Sequence, residues 1–204
     1  MSSFSGKYSK RSAALFALGS KSGFRISELL SIRIQDVFDK GKFNDHLSVS
    51  RRAMKGKMRG RTVPLHPLAK TKLNAWLGEM RQLGWYSADA FLFQSQIGRN
   101  RPITRFHALR VLKDSYARCG MNGKLATHSM RKHFAVRVFE IVDRDIFKLS
   151  RALGHPKMDS TLVYAHLAPS ALRGITEVLS SGASWLRSTP GEVVPIGERR
   201  EAVM

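Results

Sequence analysis

Apolar residues recur along this chain first at helical spacing, then briefly at strand spacing, then at helical spacing again. Ser9 to Ser22, with Ala13, Ala14, Leu15, Phe16, Ala17 and Leu18, predicts a largely apolar helix that Gly23 ends. Ile26, Leu29, Leu30 and Ile32 or Arg33 continue at helical spacing, so a second helix starts at Arg25 and Asp36 ends it or opens a strand region. Between His46 and Leu65 the pattern changes. Leu47 and Val49, and then Thr62-Val63-Pro64-Leu65, are short extended runs on either side of a basic, Gly-containing stretch, which predicts a β-hairpin. Pro67 to Trp85 returns to helix, with Leu68, Leu73, Trp76, Leu77, Met80 and Leu83 in one core stripe. Phe91-Leu92-Phe93 is a short buried run. Thr104 caps a helix reaching about Arg118, with Phe106, Leu109, Leu112 and Tyr116 inward and Arg105, His107, Arg110, Lys113 and Arg118 facing phosphate.

Thr127 is the expected cap of the next helix, whose His128 and Arg131 share a face. Asp143 to Leu153 predicts a connecting helix with Ile146, Phe147 and Leu149 inward. Gly154 permits a turn, and Asp159 or Ser160 caps a short helix ending in Tyr164-Ala165-His166. Ala168 to Leu179 reads as a last helix. From Ser180 onward Ser, Gly, Pro and charges predict a flexible tail. The fold class is therefore α+β and mainly α-helical, with residues 1–180 as one domain, 181–204 as the tail, and a small β-hairpin in the middle.

Charge narrows the partners. Thirty-five Lys and Arg stand against 15 Asp and Glu in 204 residues, a formal net charge of +20. Such a domain meets a phosphate polymer, through salt-sensitive contacts, or coats one without any chemistry. Six of the eleven residues from Arg51 to Arg61 are Lys or Arg, which suits a hairpin tip reaching into a DNA groove. Cys119 is the single cysteine, so no internal disulfide forms; it lies at a helix end and reads as a buried structural thiol. No stretch approaches the ~20 apolar residues of a membrane span. Met1 to Lys10 has no apolar core of a secretory signal. Zinc spacings and Gly-rich phosphate loops are absent from the sequence.

The stretch Leu153 to His166 sets the chemical question. It holds His155 and Tyr164 at the two ends of one short element, able to face a common ligand. A tyrosine is a weak nucleophile unless its proton leaves and the charge it attacks is neutralised. Arg25, at a helix start after a glycine turn, makes an anion site together with backbone N–H groups. His128 and Arg131 supply a titratable group and a second cation.

Three of these segments carry a resemblance. Gly23-x-Arg25-x-x-Glu28-Leu29 with Ile32 and Asp36, His128-x-x-Arg131, and Leu153-Gly154-His155 with Thr161 and Tyr164-x-His166 occur in this order. Over residues 9 to 179 the chain resembles the tyrosine recombinase (phage integrase) family. That resemblance implies the family's catalytic-domain fold and cleavage and rejoining of DNA through a 3′-phosphotyrosine. It implies that Arg25 and Arg131 hold the phosphate, that Tyr164 is the nucleophile, that His128 assists proton transfer and that His155 binds a phosphate oxygen or positions the tyrosine. It also implies a hairpin lysine as general acid. The pattern Lys55-x-Lys57-x-x-x-Arg61-Thr62-Val63-Pro64-Leu65 selects Lys55, with Lys57 competing because a register slip reverses the side chain's face. Glu28 and His133 are assigned structural roles.

The implied partners are double-stranded DNA, further copies in a tetramer on it, and an accessory DNA-bending protein. The implied location is the cytoplasm, at the nucleoid, with no membrane, metal or nucleotide cofactor. In relatives a C-terminal segment docks on a neighbouring subunit, for which Val193, Val194 and Ile196 are candidates. Most relatives also carry an N-terminal clamp domain. Here the catalytic domain starts almost at residue 1, so the expectation is a short recombinase or a fragment with weakened DNA binding. A type IB topoisomerase-like relaxer and a DNA-binding regulator without turnover are the other two readings.

Overall fold

Helix α1 (Ser9–Ser22) places Arg11, Leu15, Leu18 and Ser22 along one buried face, at spacings of four and three. The computed structural model describes residues 4–49, 60–98, 100–155 and 158–165. Gly23 ends α1 in the left-handed region at φ 62, its N–H donating to the Gly19 carbonyl at 3.0 Å. Where α1 crosses a later helix, Gly19 allows the approach: a Cβ there would lie 2.7 Å from Met130 Sδ.

The segment after Gly23 forms two separate helical turns, α2 (Ile26–Leu29) and α3 (Ile34–Val37), instead of the single helix expected. The cause is competition for backbone groups. Ile34 N–H donates to Ala90 O (2.9 Å) and Ile32 O accepts from Leu92 N–H (2.8 Å), which ties this stretch to the buried Leu92-Phe93 run. Asp36 accepts the Arg33 N–H at 2.8 Å, so it starts α3 and does not end α2.

A small hairpin that the sequence did not announce follows: β1 (Phe38–Asp39) pairs with β2 (Lys42–Phe43). Lys40 and Gly41 make its turn with φ 47 and 81. The expected hairpin is β3 (His46–Val49) against β4 (Arg61–Pro64), antiparallel from His46↔Pro64 to Val49↔Arg61. Alternation buries Leu47 and Val49 on one strand and Arg61 and Val63 on the other.

Helix α4 (Pro67–Gln82) buries Leu73, Trp76, Leu77 and Met80 against α1, and Trp76 Nε1 donates to Leu92 O at 2.7 Å. Leu68, expected in that stripe, is exposed. Helix α5 (Arg105–Arg118) starts at Thr104, whose hydroxyl accepts the His107 N–H at 3.1 Å. Phe106 was expected inward and is 86% exposed, because Ala108, Leu112, Ser115 and Tyr116 define the inner face. Cys119 is exposed, not buried, since it caps α5 after the last inward position.

Helix α6 (Thr127–Ile141) packs on α1. Ala126, not Thr127, is its cap residue, and Ser129 Oγ accepts the Ala126 N–H at 3.0 Å. Helix α7 (Ile146–Leu153) is capped by Asp145, which accepts from Phe147 and Lys148 N–H groups. It buries Leu149 and Leu153, while Phe147 turns outward. Gly154 at φ 62 ends it, and α8 (Asp159–Ala165) packs back on α6 and α7. The expected last helix and tail lie outside the described residues.

Gly23 provides a direct stability test. A Cβ there would lie 2.3 Å from Phe134 Cδ1 and would sit at a φ that side chains avoid. Gly23→Ala should destabilise the protein by about 2–4 kcal/mol, strain and overpacking together, read as a lower midpoint in chemical denaturation.

Candidate active site

The short connection between α1 and α2 is the centre around which the charged groups gather. Arg25 caps α2 in an extended conformation, and its N–H donates to Glu28 Oε2 at 2.8 Å. The same carboxylate takes the Arg25 guanidinium, Nη1 to Oε1, at 3.2 Å. Glu28 is buried and one third of the Arg25 side chain remains exposed. One buried acid therefore fixes both the backbone and the head of this arginine, and leaves the remaining donors facing out.

Arg131 comes to the same place from α6 and is 1% exposed. Its Nη1 donates to the Gly23 carbonyl and its Nη2 to the Leu153 carbonyl at 2.8 Å, joining the α1 end to the α7 end. Nη2 also lies 2.9 Å from His155 Nε2. A guanidinium only donates, so Nε2 is the acceptor and the ring proton sits on Nδ1. Nδ1–H then donates to Thr161 Oγ1 at 2.8 Å, and Thr161 is fully buried. The imidazole is thus held in one tautomer by α6 on one side and α8 on the other.

Tyr164 is three residues after Thr161 on α8, one helical turn on, and buried. Its ring stacks on His155, centroids 5.9 Å apart and planes 21° apart. Burial holds the Arg131 pKa below its ordinary value and the Arg25 charge adds to this; the Tyr164 phenol and Glu28 act against it. His128 is in the first turn of α6 and exposed. Its pKa is lowered from 6.5 by partial desolvation, then by the charges of Arg131, Arg25 and Lys132. His128 is therefore neutral at neutral pH.

Five of the six residues singled out from sequence, Arg25, His128, Arg131, His155 and Tyr164, lie in this one neighbourhood. Lys55, the sixth, and its competitor Lys57 lie outside the described residues, as does His166. His133 faces Lys21 and Arg137 and has no part in the cluster.

Sequence reasoning missed Arg61, which it placed among the basic residues of the hairpin tip. Arg61 is 8% exposed and reaches the same turn, with Nη1 on the Gly23 carbonyl at 3.3 Å and Nη2 on the Ser22 carbonyl. The strand period carried the signal, because Arg61 shares its parity with the apolar Val63 and Leu65. Among the described residues no three His, Cys, Asp or Glu side chains gather as a metal site would, and no helix is long and apolar enough to cross a membrane.

Residues 2–171 match the phage integrase family. The chain belongs to that family. Among similar proteins is the probable integrase/recombinase YoeC of Bacillus subtilis (strain 168), 28% identical over 169 residues, covering 83% of this chain and 84% of the relative. Tyrosine recombinase XerD of Corynebacterium glutamicum is 28% identical over 165 residues, covering 81% of this chain and 51% of the relative. In fold, this integrase-family chain is similar to the XerH site-specific recombinase in its post-cleavage complex with a palindromic difH substrate. The TM-score is 0.67 at 21% identity, covering 86% of this chain and 48% of that one. The chain thus spans about half the length of the XerD and XerH proteins it matches. The mainly helical fold with small antiparallel hairpins is that of the tyrosine recombinase catalytic domains.

Proposed function

We propose that this chain carries the catalytic domain, residues 1–180, of a site-specific DNA recombinase or integrase that cuts and rejoins strands through a 3′-phosphotyrosine. The observation that carries the reading is the continuous link Arg131–His155–Tyr164, with Arg25 fixed beside it by Glu28. A phosphodiester brings one negative charge, which spreads over its non-bridging oxygens in the transition state. Arg25 and Arg131 oppose that charge with fork-shaped donors.

In the first step the Tyr164 phenol oxygen forms a bond to phosphorus and the bond to the 5′-oxygen breaks. The phenol proton goes to His128, and the 5′-oxygen takes a proton from the hairpin lysine, Lys55 in this reading. His155 positions the tyrosine and donates toward a phosphate oxygen once its ring bonds rearrange. The phosphotyrosine conserves the phosphoester bond, so a 5′-hydroxyl from another strand reverses the step with no nucleotide cofactor.

Double-stranded DNA is the partner in this proposal, consistent with the +20 charge. Exchange between two duplexes cuts four strands with one tyrosine each, which calls for a tetramer on DNA. A DNA-bending accessory protein would bring distant sites into that assembly. The test is incubation with supercoiled DNA of the host element, followed by a search for a denaturant-resistant protein–DNA adduct. Binding without any adduct would overturn the enzymatic reading in favour of a regulator.

The pH dependence is a separate check. Because His128 binds its proton less tightly than an ordinary histidine, it stays a neutral base to lower pH than an ordinary histidine does. Single-turnover cleavage should therefore keep its rate to lower pH than an ordinary histidine base would allow, with the midpoint of the acid limb below pH 6.5. His128→Asn should lower the plateau by about 10²-fold and remove that limb. An acid limb unchanged in this variant would assign the proton acceptor elsewhere.

A further inference from the structure

We propose that Arg61 is a positioning residue for the Arg25–Arg131 pair, holding from the hairpin side the turn on which both depend. The inference rests on the recombinase reading for what the pair grips, but its geometric part is independent of it. Arg61 forms the last β3–β4 pair, with Val49, and points inward with Val63. Its guanidinium lies between two aromatic rings, 4.7 Å from the Phe24 centroid and 5.6 Å from that of Phe134. Phe24 is next to Arg25, and Phe134 is three residues beyond Arg131 on α6.

The hydrogen bonds make the link specific. The Gly23 carbonyl accepts from Arg131 Nη1 and from Arg61 Nη1, which fills both of its lone pairs. Arg61 Nη2 takes the Ser22 carbonyl as well. The turn joining α1 to Arg25 is therefore held by two arginines, one from α6 and one from β4. If Arg61 leaves, the Gly23 carbonyl keeps Arg131 as its side-chain donor and the Ser22 carbonyl loses the Arg61 donor, so the turn is held less firmly and Arg25 shifts relative to Arg131.

A purely packing role predicts a different residue. A buried cation next to two other cations is unfavourable, and an apolar side chain of the same length would pack at least as well between Phe24 and Phe134. Burial first, then Arg131 and Arg25, push the Arg61 pKa down to about 10, with Glu28 acting against them. Besides its place over the two rings, what a guanidinium supplies here is donors, and they serve the Ser22 and Gly23 carbonyls. Among the described residues the buried Nε atoms of Arg61 and Arg131 have no hydrogen-bond partner, so the carbonyl bonds and the two flanking rings fix the direction of the Arg61 head.

The test uses Arg61→Met, which keeps length and removes the donors, with Arg61→Lys as the conservative variant. The first readout needs no DNA. Inorganic phosphate is titrated into the free protein and followed by the ¹H–¹⁵N side-chain signals of Arg25 and Arg131. Phosphate binding should weaken about tenfold in Arg61→Met and less in Arg61→Lys.

The second readout is single-turnover cleavage of ordinary DNA and of DNA with sulfur as the bridging 5′-atom. A thiolate leaves without a proton, so sulfur relieves defects in leaving-group protonation and not defects at the non-bridging oxygens. Arg61→Met should be slowed about 10²-fold on both substrates, the scale of a misplaced catalytic group. Folded variants with wild-type phosphate binding and cleavage would overturn the proposal, and so would full rescue by bridging sulfur. If wild type forms no adduct, the recombinase reading falls, while the phosphate titration still decides the role of Arg61. If Arg61→Met does not fold, Arg61→Lys carries both measurements, because an ammonium on a shorter stem does not reproduce the planar fork that serves the Ser22 and Gly23 carbonyls.

Discussion

Tyr164→Phe should abolish the covalent DNA adduct, a loss of at least about 10⁴-fold, because it removes the oxygen that forms the bond to phosphorus in the proposed mechanism. The substitution removes one oxygen and little else. The ring remains in its buried site and keeps its stack on His155 but loses the phenol's hydrogen bond with Arg131, so stability should fall by about 1–3 kcal/mol. DNA affinity should stay within about threefold, since the phosphate grip resides in the arginines. A denaturing gel after incubation with suicide DNA reads the first effect, and a thermal melt with a binding titration reads the others. An adduct that survives the substitution would place the nucleophile elsewhere and sink the proposed mechanism.

Arg131→Lys should weaken both the fold and the chemistry, although it preserves the charge. The guanidinium serves the Gly23 carbonyl, the Leu153 carbonyl and His155 Nε2 from one planar head. An ammonium on a shorter stem reaches one of these, and each buried acceptor left unpaired costs about 1–3 kcal/mol. The expected loss of stability is therefore about 2–4 kcal/mol by chemical denaturation. Cleavage should fall about 10³-fold, as for loss of a preorganised donor to the developing charge. The imidazole would also lose the partner that fixes its tautomer, so the Tyr164 ring beside it would be less well placed. Wild-type stability in this variant would mean that the three bonds do not hold the site together.

Much of this was legible in the sequence where a local rule had no competitor. Helix α1 has the expected ends because Gly23 stops it. Helix α5 starts where Thr104 caps it. The His128-x-x-Arg131 spacing puts both residues on α6, as helix geometry requires. The misreadings came where distant partners intervened. The stretch after Arg25 is two short turns because Ile32 and Ile34 give their backbone groups to the segment around Ala90 and Leu92. Leu68, Phe106 and Phe147 each fit an apolar stripe by spacing, yet each sits at a helix start where neighbours do not cover it. Buried arginines were the main omission. Arg11 shares the inner face of α1, and its Nη1 donates to Gln94 O at 2.7 Å, a contact 83 residues away along the chain that no local pattern announces.

The crowding of Arg25, Arg61 and Arg131 near a single carboxylate, Glu28, has a consequence for the protein's life in a cell. Their mutual repulsion is present whenever no anion lies among them, and a bound phosphate removes it, stabilising the folded chain by mass action. Copies on DNA are then the longer-lived ones, and copies in free solution open more often and meet proteases first. In the recombinase reading the number of intact molecules would then track the number of occupied DNA sites, and the cluster proposed to grip a phosphate would also limit how much surplus protein accumulates.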